Sequence, residues 1–133
     1  MQAGAVYRQY RAEYDALTTI TAGGYRAPEA RRNPAFVFIG DSFTFGQGLS
    51  DAETFPAIFC RALAASCANL GVPGASTTSA IDRLEHYLSE EQWRPHHVLL
   101  FMLAMTEFMG EGNDLYDNLM AAESASGRPR AIR

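Results

Sequence analysis

Long apolar runs are missing from this chain. The longest, Val98 to Met105, falls well short of the roughly 20 residues that a membrane-spanning helix needs. The N-terminal stretch MQAGAVYRQYRAEYDALTTI holds no apolar core behind its charges, so it does not read as a secretory leader. Excess positive charge is missing too. The formal net charge is −4, which gives no electrostatic support for nucleic-acid binding. Cysteine is scarce: Cys60 and Cys67 are the only two, without metal-ligand spacing or a disulfide framework, and they read as two buried thiols. Gly46-Gln-Gly48 lacks the lysine of a phosphate loop, and no internal repeat is visible. What remains is an ordinary globular composition, 47% hydrophobic and 20% charged, in 133 residues, enough for one domain with a real core.

The centre of the sequence is Ala35-Phe-Val-Phe-Ile39 running straight into Gly40-Asp41-Ser42. Five apolar residues rich in aromatic and β-branched side chains predict a strand buried on both faces, as in a parallel sheet. Gly40 suits a sharp exit from that strand. Ser42 then falls at the strand's carboxyl end, where open α/β sheets place their ligands. A serine held on a tight strand-to-loop turn, its oxygen exposed and backbone N–H groups nearby, has the geometry of a nucleophile.

On either side, Tyr7, Tyr10, Tyr14, Leu17 and Ile20 recur at spacings of three and four and predict a helix over residues 1–22. Gly23-Gly24 ends it, and Ala27 to Pro34 reads as a connector. Ser50-x-x-Glu53 has the form of a capping box, Pro56 suits a first helical turn, and Phe55, Ile58, Phe59 and Leu63 give that helix an apolar side. Ala68-Asn69-Leu70 predicts a second strand. Ser76 and Thr77 can cap a helix running to about Leu88, and Val98 to Leu103 predicts a third strand. Strand, helix, strand, helix, strand is the pattern of an α/β fold with a parallel sheet joined by right-handed crossovers. Residues 1–34 are expected to form the N-terminal helix and connector, 35–122 the α/β core and 123–133 an exposed tail.

The string GDSFTFGQGLSDAETFPA, Gly40 to Ala57, resembles the first block of the SGNH/GDSL hydrolases, serine esterases and acyltransferases with a three-layer, flavodoxin-like α/β/α fold. Asn69-Leu-Gly-Val-Pro-Gly-Ala-Ser76 looks like the second block, and Glu111-Gly-Asn-Asp-Leu115 resembles a variant of the third. The resemblance implies catalytic roles for Ser42 as nucleophile and for Gly71 and Asn113 as oxyanion donors, with Asp41 and Asp114 beside the substrate. Asp41 reads as a residue that shapes the turn by accepting nearby N–H groups. About nine residues separate the third strand from Asn113, either an inserted helical turn or a displaced asparagine. Asp114, Asp117 and Glu111 read as a solvated loop. No cofactor or metal is implied.

Ester cleavage passes through a tetrahedral intermediate bearing an oxyanion, which is why donors at these three positions matter. The serine also needs a general base, which the family takes from an Asp-x-x-His pair. His86, His96 and His97 follow Arg83, Trp93 and Arg94 at that spacing, so none matches. The expectation is therefore a fragment whose remaining strands and histidine lie beyond Arg133. Its expected partner is a small-molecule or carbohydrate ester, with self-association through an open sheet edge. The default compartment is cytoplasmic for this chain, and its parent could be extracytoplasmic. The alternative reading is a non-catalytic acyl- or glycan-binding module or an inactive remnant.

Overall fold

The computed structural model describes residues 3–27, 33–91 and 94–102. Its elements in chain order are β1 (Ala5–Tyr10), β2 (Asp15–Ile20), β3 (Phe36–Gly40), the short helix α1 (Ser42–Phe45), α2 (Phe55–Ala62), β4 (Cys67–Asn69), α3 (Thr77–Glu91) and β5 (His97–Phe101).

The expected parallel sheet is there. Its order is β4-β3-β5, with β3 central and parallel to both neighbours. Phe36 lies opposite both Cys67 and His97, and Gly40 lies opposite Phe101. Side chains alternate across β3. Val37 and Ile39 pack with Ala68, Leu70, Ala80 and Tyr87, on the α3 side. Phe36 and Phe38 pack with Phe55, Cys60, Cys67 and Leu99, on the α2 side. One strand thus feeds two cores, which gives three layers: helix, sheet, helix. Val37 and Phe38 are fully buried, each worth about 1.5–3 kcal/mol over an exposed side chain.

The helix boundaries follow local chemistry. The Ser50–Glu53 box closes a 3₁₀ turn at Asp51–Glu53, while α2 begins at Phe55, capped by the Thr54 hydroxyl accepting from the Ala57 N–H at 3.3 Å. The Ser76 hydroxyl accepts the Ser79 N–H at 3.2 Å and caps α3 as expected.

Two expectations are corrected. Residues 5–20 form an antiparallel hairpin instead of a helix, with Tyr7 opposite Thr18 and Arg8 opposite Leu17. Ala16, Thr18 and Ile20 face inward with period two. Of the tyrosines that spaced like a helical stripe, Tyr7 and Tyr10 fall on opposite faces of β1 and Tyr14 lies in the turn before β2, while Leu17 is exposed. Cys60 and Cys67 are joined as a disulfide, not held as separate thiols. The chain turns back after α2 and brings the first residue of β4 under the last turn of that helix.

The hairpin also extends the sheet. Arg26 forms isolated antiparallel bridges to Ile20 and to Asn69, linking β2 to the outer edge of β4. Among the described residues, no helix is long and apolar enough to cross a membrane. The expected tail at 123–133, and most of the connector, lie outside the described residues.

Candidate functional site

Ser42 is the first residue of α1, directly beyond the carboxyl end of the central strand. Asp41 caps this helix: its Oδ1 accepts the Phe43 N–H at 2.9 Å, and its side chain is fully buried. The structure thus gives Asp41 the turn-shaping task read from the sequence. The Ser42 N–H falls in the first turn, where helix geometry supplies no partner. Gly46 ends the helix in the left-handed conformation, its N–H returning to the Ser42 and Phe43 carbonyls. Ser42 itself is half-buried.

Both neighbouring strands hold α1 in place. On the β5 side, the Thr44 hydroxyl donates to the Phe101 carbonyl at 2.9 Å. A Cβ on Gly40 would stand 1.9 Å from that same carbonyl oxygen, so only glycine fits this exit. On the β4 side, the buried Asn69 amide donates to the Thr44 carbonyl at 2.8 Å, and its Oδ1 accepts the Gly71 N–H at 3.0 Å. A Cβ on Gly71 would meet the Phe45 nitrogen at 2.3 Å and the Thr44 carbonyl carbon at 2.7 Å. Gly71 is therefore packed against the backbone of α1, as close approach requires, while its N–H is engaged by Asn69.

The loop after α1 is gripped from the other direction. Arg26 is 1% exposed, and its terminal nitrogens donate to the carbonyls of Gly46 at 3.2 Å and Leu49 at 2.6 Å. Asp51 stands 3.4 Å from the Arg26 guanidinium and also accepts the Thr19 N–H at 3.0 Å. Burial draws the Arg26 pKa below its ordinary value, and Asp51 opposes that shift. Gln9 accepts the Gly48 N–H at 3.1 Å, and the Tyr14 ring lies where a Cβ on Gly48 would touch it at 3.0 Å. The hairpin is in this way a wall of the site. Tyr14, Ser42, Phe43, Gly46, Gln47 and Leu49 line a cavity of about 450 Å³, within the range of small-molecule sites.

The expected site residues divide. Ser42, Asp41 and Gly71 come together around α1, whereas Asn113 and Asp114 lie outside the described residues, as does the acidic group Glu111, Asp114 and Asp117. His97 opens β5 and stacks on Phe36 with ring centroids 5.0 Å apart, at the sheet end away from Ser42. His86 lies within α3 and His96 just precedes β5, and both are exposed. Asn69, Thr44 and Arg26 position the serine, yet the sequence reading gave them no such role. For Asn69 a signal existed, since an asparagine inside a short buried strand needs partners for its amide.

No family model matches this chain, and no curated protein does. A solved structure similar to it is a mutant of the esterase AlinE4, 24% identical over 62% of this chain, with a TM-score of 0.48. The match covers 44% of that chain, so this protein spans less than half the length of that structure.

Proposed function

We propose that this chain carries the nucleophile and part of the oxyanion frame of an SGNH/GDSL-type serine hydrolase acting on ester bonds. The observation that carries the reading is Ser42 itself. It begins α1 at the carboxyl end of the central parallel strand, pinned from both neighbouring strands and opening on the 450 Å³ cavity. The sequence around it, GDSFTFGQG, supports the family.

In this reading the Ser42 Oγ attacks the ester carbonyl carbon, the alcohol leaves with a proton, and the acyl group remains on Ser42. Water or a sugar hydroxyl then takes the acyl group. The run Phe43-Thr-Phe-Gly-Gln-Gly48 and the Glu111-Gly-Asn-Asp form resemble members linked to polysaccharide acetylation, which favours a carbohydrate ester. The oxyanion is stabilised by the Ser42 N–H and the Asn113 amide, one donor typically being worth about 2.7–4 kcal/mol. Gly71 contributes the close packing that fixes α1. Its N–H joins the oxyanion frame only by leaving Asn69. Asp41 is a positioning residue. The general base is the histidine of an Asp-x-x-His pair, which the resemblance places beyond Arg133.

A second reading rests on the histidines, none of which lies at the serine end of the sheet among the described residues. By itself the chain then binds an acyl or glycan group without turning it over. A fluorophosphonate probe, applied to the chain extended to include its Asp-x-x-His pair, separates the two. Covalent labelling that vanishes in Ser42→Ala, with the melting temperature of the variant unchanged, is the outcome expected of an activated serine. A folded protein that takes no label leaves the binding reading in its place.

A further inference from the structure

The cavity at Ser42 has an uneven lining. Tyr14, Phe43 and Leu49 supply large apolar surface, and Ser42, Gln47 and the Tyr14 hydroxyl supply polar groups. Among the described residues, no lining side chain carries a charge. The Gly46 backbone is already committed, its N–H to the Ser42 and Phe43 carbonyls and its own carbonyl to Arg26. Phe43 and Leu49 stand 62% and 41% exposed. Apolar side chains left open around a concave site mark a surface that a ligand covers. An ion placed there would lose hydration and meet no lining counter-charge.

One wall comes from a distant part of the chain. The hairpin turn closes with the Arg11 N–H on the Tyr14 carbonyl at 2.9 Å, which sets Tyr14 at the entry to β2. Its ring lies against the backbone of Gly48, where an added Cβ would meet three ring atoms at 3.0–3.2 Å. Gly48 also has a φ of +83°, so glycine serves both the left-handed backbone and the close approach of the ring. Gln9, on β1, holds the Gly48 N–H. Tyr14 is thereby braced against the loop that carries Gln47 and Leu49.

We propose that this cavity receives the acyl chain of the ester, an uncharged hydrocarbon of several carbons, and that Tyr14 sets which chains it takes. Naming the occupant as the acyl part rests on the ester-hydrolase reading of Ser42. At roughly 30 Å³ per water, the cavity has the volume of about fifteen waters, far more than the two carbons of an acetyl group fill. The hairpin is then a specificity element as well as a support for the serine loop.

The test is binding of straight-chain primary amides, from acetamide to hexanamide, to this chain, read by NMR from the Leu49 methyl and Tyr14 ring resonances. These amides are uncharged stand-ins for an acyl group and need no activated serine. Dissociation constants are expected to fall about fourfold with each added methylene, the transfer of one buried CH₂. Nuclear Overhauser effects should join the terminal methyl to the Tyr14 ring. The same chain with a charged far end, 6-aminohexanamide, should bind at least tenfold more weakly than hexanamide. Tyr14→Ala should flatten the dependence on length, weakening hexanamide about tenfold or more and butanamide much less. If that variant loses the hairpin, Leu49→Ala decides in its place, with hexanamide weakened about fourfold or more. Affinity that ignores chain length, methyl glucoside binding as tightly as hexanamide, or parental constants in a folded variant overturns the proposal. Graded amide binding together with a serine that never takes the fluorophosphonate keeps this pocket and ends the hydrolase reading. Labelled Ser42 without amide binding does the reverse.

Discussion

Asn69 shows how one side chain can join three segments. Its Nδ2 reaches the Thr44 carbonyl on α1 and its Oδ1 takes the Gly71 N–H, so strand end, helix and loop meet on one amide. All of this is buried, where a polar group without a partner costs about 1–3 kcal/mol. Asn69→Ala strands both the Thr44 carbonyl and the Gly71 N–H and should lower unfolding free energy by about 2–4 kcal/mol, read from urea denaturation. A loss under about 0.5 kcal/mol, the range of an ordinary surface change, would show that water replaces the amide at no cost. Asn69→Asp keeps the acceptor for Gly71 but turns a carboxylate oxygen toward the Thr44 carbonyl, so it should rescue little. At this scale the sequence was only partly legible. Ser42 announces itself through the glycine and aspartate before it and the strand that ends there. Gly71 is a near neighbour of Asn69, but its Thr44 partner and the partners of the Arg26 side chain lie about twenty or more residues away, and no local pattern points to them.

Elements differ in legibility for a related reason. The three parallel strands and the two longer helices were readable because each carries its pattern within itself: a continuous apolar run, a cap, or a spaced apolar face. The hairpin was not. Its inward residues on β2 are Ala16, Thr18 and Ile20, only one of them large and apolar, while Tyr10 and Leu17 stand exposed. The visible spacing therefore belonged to side chains on opposite faces. Thr18-Thr19-Ile20-Thr21 was the stronger clue, since β-branched runs suit strands. An isolated hairpin is marginal in water. This one is held by Asp51 on the Thr19 N–H, by Gln9 on the Gly48 N–H and by the bridge through Arg26. Cross-strand nuclear Overhauser effects should link Tyr7 with Thr18 and Gln9 with Ala16. Helical i to i+3 contacts over the same residues would overturn the hairpin. The disulfide escaped the sequence for the same reason as the hairpin's partners: it depends on where α2 stops and the chain doubles back, and the seven-residue spacing alone says nothing of that.

Over the whole molecule, the two edges of the parallel sheet are treated unequally. Beyond β4 the edge continues into Arg26 and the hairpin. On β5, among the described residues, pairing is to β3 alone, and Val98, Leu100 and Phe101 are 41%, 44% and 46% exposed. Extended backbone with open donors and acceptors, carrying large apolar side chains, is a template for adding another strand. The purified chain should therefore self-associate, its sedimentation coefficient rising with concentration across the micromolar range. Leu100→Lys places a charge on this edge without touching the clusters around Phe38 or Val37. It should shift the protein toward monomer while leaving the melting transition within a few degrees of the parent, since surface substitutions away from the core usually change stability by less than about 0.5 kcal/mol. A wild-type chain that sediments as a monomer at every concentration would mean that the edge is covered, and the apolar exposure of β5 would then need a different account. If self-association persists unchanged in Leu100→Lys, the contact lies elsewhere, and the exposed outer face of the hairpin, with Val6 and Tyr10, is the next surface to alter.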